Sequence, residues 1–316
     1  MLAMQRYPWE QGVCAQALFE AGQNEIWVAM AYDAVKRMDS NGRLGMVGSS
    51  KAVSDPAANG EVCLRAYERT KDDFFLKGAE QMLEYLLDRA PRTKDGIICH
   101  NDISFTDGYS KYQLWIDGLY MVPPFLSVMG NVDEAFGQIR GYIKHLYEPE
   151  TGLFYHIKDV EKDMFIRKVH WASGNGWALM GLARVMEEAR KRGREDIFAE
   201  LFAFETGLLE SMLKYQSCDG RFHDILNDSD SFLDGTSSMM MAAAIYRGIY
   251  NGYLDKGFKT YADRAYMTVS QKIDEYGLVR EVCGCPHFVS EGTSAEAQAA
   301  FIMADAWKNR IESSAE

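Results

Sequence analysis

Long apolar runs are missing from this 316-residue chain. None reaches the roughly 18 residues that a membrane-crossing helix requires, so no membrane role is expected. The opening MLAMQRYPWEQG lacks a basic segment followed by an apolar core, which argues against a secretory leader and for a cytoplasmic setting. Basic charge is also scarce. Lys and Arg number 34 against 46 Asp and Glu, a net charge of −12, and they form no stripe. That removes the electrostatic footprint of nucleic-acid binding. Six cysteines are too few for a disulfide scaffold of this length; Cys14 and Cys63 sit inside apolar helical patterns and read as buried thiols. Cys99-His100 and Cys283-Gly-Cys285-Pro-His287 bring sulfur and imidazole close together without completing a zinc spacing. There is no G-x-S-x-G, no H-E-x-x-H and no glycine-rich phosphate loop. Serine-nucleophile and phosphate-loop chemistry are therefore disfavoured, and neither metal nor cofactor is expected. No Pro/Gly/Ser-rich linker divides the chain, so residues 1–316 read as one domain.

What is present is a repeat. Aligning apolar helical stretches by their first glycine gives Gly12, Gly60, Gly118, Gly176, Gly235 and Gly292, with successive spacings of 48, 58, 58, 59 and 57 residues. These stretches are apolar on most faces and rich in Ala, Gly, Ser and Met, as buried helices are. Between them lie segments 25–38, 72–89, 132–147, 195–215 and 258–273, whose i, i+3, i+4 apolar spacing marks helices wet on one side. Six inner helices ringed by outer ones make an all-α (α/α)6 barrel. A second refrain, Asp95-Gly96, Thr151-Gly152, Asp219-Gly220 and Tyr276-Gly277, each followed by strand formers, predicts short β-segments on the loops. It brings His100, His156 and His223 to comparable positions.

The polar-Gly pairs at the inner helices predict capped N-termini opening on one mouth. Helix dipoles there favour anions, so a small acidic ligand suits the site. Asp117 heads the third inner helix and reads either as its cap or as a catalytic acid. Asp55, five residues ahead of Gly60, reads as a turn residue before Pro56 or as that acid's partner. Trp9, Trp115, Trp171 and Trp177 precede or open inner helices, where sugar-stacking aromatics would stand.

The blocks RYPWEQGVCAQAL, YQLWIDGLYMVPPFLSVMG, TGLFYH and WASGNGWALMGLARVME, in this order, resemble the unsaturated uronyl hydrolases of glycoside hydrolase families 88 and 105, especially the unsaturated rhamnogalacturonyl hydrolases. The resemblance implies an (α/α)6 barrel that hydrates the C4=C5 double bond of a non-reducing-end uronic acid on an acidic oligosaccharide. It matches Asp117 to the general acid/base, Asp55 to the second acid, His156 to a substrate-contacting histidine, and Trp115 and Trp171 to pocket aromatics. Trp9 stands where a tyrosine is common in the family. In the block containing Ser173, Asn175 and Trp177, Ser173 replaces a substrate-touching arginine, so either the sugar carboxylate is bound by the helix ends, Lys111 or His100, or the substrate is atypical. Two alternatives stay open: a non-catalytic toroid binding acidic sugars, and a zinc-dependent or epimerase-type barrel enzyme. A homo-oligomer is compatible with this reading.

Overall fold

The computed structural model describes residues 2–46, 48, 51–284 and 288–314, so Cys285 and His287 lie outside the described residues. Helices α1 (Pro8–Glu20), α2 (Asn24–Lys36), α3 (Ala58–Thr70), α4 (Asp73–Glu84), α5 (Gly118–Met121), α6 (Pro123–Val128), α7 (Val132–Leu146), α8 (Ala172–Lys191), α9 (Glu195–Leu213), α10 (Gly235–Tyr250), α11 (Lys259–Ser270) and α12 (Ala295–Ser313) alternate between two layers. The inner ring runs α1, α3, α5 with α6, α8, α10, α12 and closes where α12 packs on α1. Outer helices α2, α4, α7, α9 and α11 each pack against the inner helix that precedes them.

Side-chain periodicity decides the layer. In α4 the buried residues are Phe75, Gly78, Ala79 and Met82, one stripe of a two-sided helix. In α10 every residue from Gly235 to Tyr246 is buried, because neighbours cover all of its faces. Small residues let the inner helices approach closely: a Cβ on Gly12 would lie 2.5 Å from the Ala58 carbonyl carbon, and one on Gly176 2.8 Å from the Met240 Cβ.

Two expectations need correction. Gly12, Gly60 and Gly176 sit inside their helices and serve this close packing, not capping; among the six pairs only Asp234-Gly235 has a side-chain cap, with Asp234 accepting from the Thr236 and Ser237 amides. The third inner helix is also broken. It stops at Met121 and restarts at Pro123-Pro124, which lack N–H groups and cannot continue the hydrogen-bond ladder of the turn before them.

Short strands occupy the loops: β1 (Gln113–Trp115), β2 (Tyr147–Glu148), β3 (Leu153–Phe154), β4 (Ile157–Asp159), β5 (Met164–Arg167), β6 (Phe222–His223), β7 (Leu233–Asp234), β8 (Val282–Cys283) and β9 (Glu291–Gly292); the second refrain leads into β3 and β6, and after Gly96 and Gly277 only into isolated bridges at Ile98 and Val279. All pair antiparallel, in the orders β1-β4-β5, β2-β3, β6-β7 and β8-β9. No helix among the described residues is long and apolar enough to cross a membrane.

Candidate active site

A backbone ladder across the mouth assembles the site. Residue Ala52 bridges Asn101, and the Val53 amide donates to the His100 carbonyl at 3.0 Å. The His100 amide donates to the Gln113 carbonyl at 3.0 Å, β1 pairs with β4, and β4 pairs with β5. Five segments distant in sequence thus lie side by side. The register sets Trp115 opposite Ile157, and Ile157 opposite Arg167. Asp55, His100, Trp115, Asp117, His156 and Arg167 consequently share one cavity of about 660 Å³, which Trp9, Trp171 and Trp177 also line.

Asp117 caps nothing. It occupies the N-cap position of α5 with helical backbone angles, φ −59° and ψ −27°, and its carboxyl accepts no cap hydrogen bond. That geometry leaves the carboxylate for the cavity. The glycine after it has its own reason: a Cβ on Gly118 would lie 2.2 Å from the Tyr142 hydroxyl oxygen, so only glycine lets α5 seat against α7.

His100 joins the two acids. Its Nδ1 lies 3.9 Å from Asp55 Oδ1, 3.6 Å from Asp117 Oδ2 and 2.8 Å from Ser54 Oγ. The aspartate side chains keep 12 % and 15 % of their surface open, enough to meet a ligand from the cavity. Burial pushes the Asp55 carboxyl up to about 6, opposed by His100 and reinforced by the Asp117 charge. Burial also raises Asp117, against the pull of His100. Two close carboxyls in little water resist being ionised together, so the pair retains a proton in the acid range where isolated aspartates have lost theirs. Ligand atoms of Asp55, His100 and Asp117 all lie within 4.8 Å of one another, a set that could also hold a metal ion.

The walls are aromatic. His100 stacks on Trp115 with centroids 4.4 Å apart, and His156 stacks on Trp171 at 4.4 Å. Trp177 meets Trp9 edge-on at 6.5 Å. Burial and the adjacent Arg167 hold His156 well below the ordinary imidazole range, so its ring is neutral at neutral pH. The Arg167 Nη1 stands 3.0 Å from His156 Nδ1, and its Nη2 lies 3.7 Å from Asp224 Oδ2.

Three expected contacts stand elsewhere. Ser173 is fully buried and donates to Asp234 Oδ2 at 2.9 Å, tying α8 to the cap of α10. Asn175 is spent on backbone, bonding the Phe154 amide and the Phe154 and Trp171 carbonyls. Lys111 is exposed, with its ammonium over the Tyr112 ring, and does not line the cavity. His223, aligned by the second refrain, is engaged with the Ser231 carbonyl instead. Among the described residues the Lys or Arg lining the cavity is Arg167, which the sequence does not single out; its position four residues before Trp171 is the signal that was there to find. Glu296, in the first turn of α12, was missed as well. The mouth is also more acidic than helix dipoles alone suggest, since Glu296, Asp55 and Asp117 all line it.

An inner helical ring, a paired-carboxylate pocket and aromatic walls define an all-helical carbohydrate-active enzyme. The chain belongs to Glycosyl Hydrolase Family 88, whose model matches residues 2–303. It is similar to the unsaturated rhamnogalacturonyl hydrolase YesR of Bacillus subtilis (strain 168), 25 % identical over 286 residues that cover 87 % of this chain and 79 % of that one. An unsaturated 3S-rhamnoglycuronyl hydrolase of Formosa agariphila is 27 % identical over 214 residues, 62 % of this chain and 53 % of its own. In fold it is similar to a possible GH105 family member from Salmonella enterica, with a TM-score of 0.82 at 20 % identity, covering 96 % of this chain and 83 % of the other.

Proposed function

We propose that this enzyme releases a 4,5-unsaturated uronic acid from the non-reducing end of a short acidic oligosaccharide, of the kind that a polysaccharide lyase leaves behind, with unsaturated rhamnogalacturonan disaccharide as the leading candidate. The observation that carries this reading is the Asp55–His100–Asp117 cluster, partly open, in a cavity that also presents Arg167. A vinyl ether is attacked by a proton at its electron-rich carbon. Asp117 delivers that proton to C4, leaving positive charge shared between C5 and the ring oxygen. Water adds at C5 as the Asp117 carboxylate accepts a proton from it. The resulting hemiketal opens at the C5–ring-oxygen bond, and the hemiacetal thereby freed at C1 expels the second sugar. One water is consumed and the acid is restored.

Asp55 and His100 act by keeping a proton available to Asp117. Arg167, a planar donor beside His156, holds the uronate carboxylate in place of the arginine missing at residue 173. Trp115, Trp171, Trp9 and Trp177 supply faces and edges for the sugar ring. The closure of α12 on α1 supports one catalytic domain over residues 1–316. Free buried thiols at Cys14, Cys63, Cys99 and Cys283 suit the reducing cytoplasm.

The test follows the ultraviolet band of the conjugated double bond in lyase-generated disaccharides. Wild-type enzyme should bleach it, and Asp117→Asn should slow bleaching by about 10²–10⁴-fold while leaving circular dichroism intact. No bleaching of any pectin, rhamnogalacturonan or glucuronan fragment by the wild type would refute the proposal. Near-normal turnover in Asp117→Asn would remove Asp117 from the mechanism.

A further inference from the structure

One cavity-lining acid has no part in the chemistry above. Glu296 stands in the first turn of α12, lines the cavity, and is only 2 % exposed. Its Oε1 has no hydrogen-bond partner. In the inner ring α12 is three places from α5, and Glu296 lines the same cavity as the Asp55–Asp117 pair. The groups bearing on it are Glu10 from α1, Asp117 ahead of α5, Asp224 following β6 and Asp234 ahead of α10. The thiols nearby are Cys283 of β8 and Cys14 of α1, whose Sγ lies 4.0 Å from the Ala295 carbonyl. Burial among these negative charges holds the Glu296 carboxyl well above the usual carboxylate range.

A buried carboxyl oxygen with no partner, on a side chain that lines a ligand cavity, is costly unless a ligand completes it. A carboxylic acid that keeps its proton is a donor without charge, which suits a sugar that is itself an anion. We propose that Glu296 is a substrate-binding hydrogen-bond donor, its carboxyl O–H reaching a hydroxyl or glycosidic oxygen of the sugar held in the cavity it shares with Asp117. The inference rests on the uronyl reading of the site. It assigns to the sixth inner helix a recognition task that its place in the repeat does not reveal.

The experiment compares wild type, Glu296→Gln and Glu296→Leu on unsaturated rhamnogalacturonan disaccharide, with infrared difference spectra of the ligand-free proteins. Leucine removes the donor and should raise KM about tenfold, with kcat changed less than about threefold, whereas glutamine keeps an N–H donor and should recover most of that loss. Wild-type KM should climb in alkali as Glu296 ionises beside the anionic sugar, and the glutamine variant should lack that climb. The glutamine-minus-wild-type spectrum at neutral pH should show loss of a protonated-acid carbonyl band. Equal KM losses in both variants, no loss in either, or disappearance of an ionised carboxylate band would each overturn the proposal. Failure of the uronyl reading is distinct: the wild type itself would then bleach no unsaturated uronyl disaccharide.

Discussion

Replacing Asp55 by asparagine should make the protein inactive and, above pH 6, more stable. The carboxyl lies among buried groups with 12 % of its side chain open, and its pKa rises from 3.8 to about 6 on folding. A raised carboxyl pKa means the native state binds the proton more tightly than the unfolded chain. The native advantage is therefore complete below pH 3.8 and is lost as pH climbs through 6. At about 1.4 kcal/mol per tenfold, the ionised side chain costs the native state about 3 kcal/mol at pH 8. Asparagine has nothing to ionise. Stability of Asp55→Asn minus that of wild type should thus rise by about 3 kcal/mol between about pH 3 and pH 8, nearly all of it between the unfolded and folded pKa values. Denaturant unfolding at intervals across this range measures the difference, and turnover measured in parallel should be depressed throughout. A difference that stays flat or falls with pH would refute the reasoning, since it would mean that Asp55 is ionised already in acid and stabilised as an ion pair with His100.

Three further outcomes follow from the same geometry. Arg167→Met should raise KM for unsaturated uronyl disaccharides roughly 10- to 100-fold with a smaller change in kcat, because a charge-assisted bond to the carboxylate is lost; Arg167→Lys should recover only part, lacking the planar fork. Steady-state kinetics on both variants checks this, and unchanged KM values would free Arg167 from the role. Deeper in the ring, Arg184 is 7 % exposed and pairs with Glu61 at 2.9 Å and with Glu20, which also accepts from Trp307 Nε1 at 2.7 Å. Arg184→Met removes one cation shared by two buried carboxylates, leaving Glu20 with Arg247 and Trp307 and Glu61 with Arg65, and should cost about 1.5–3 kcal/mol in denaturant unfolding, with the active site distant from the change. Exhaustive chelation should leave turnover intact, since proton and water transfer at C4 and C5 need only the aspartates. Activity lost to chelation and restored by one divalent ion would instead give the Asp55, His100 and Asp117 cluster a metal to hold.

Much of the fold was legible because burial leaves a periodic trace. Inner stretches such as 235–246 are apolar on all faces and outer ones such as 73–84 on one, and a spacing near 58 residues repeats the unit. The break at Pro123 was legible in principle as well, since proline's missing N–H acts locally. Asp117 and Asp55 stood out by position in the repeat. What each carboxyl does there was not legible: the same acid-glycine pair caps a helix at Asp234 and caps nothing at Asp117. Ser173 and Asn175 show the converse, motif residues whose polar atoms are consumed by neighbouring backbone and by Asp234.

By itself the sequence determined the alternation of buried and half-buried helices, the number of repeats and the turns between them, because those depend on periodicity and on residues near one another along the chain. Only the tertiary structure decided that segments around 53, 100, 114, 157 and 166 lie in one hydrogen-bonded ladder, that Arg167 rather than Lys111 reaches the cavity, and that Glu296 lines the same cavity as Asp117. Proton affinity and ligand contact depend on distance and on exclusion of water in three dimensions, and residues far apart in the chain set both.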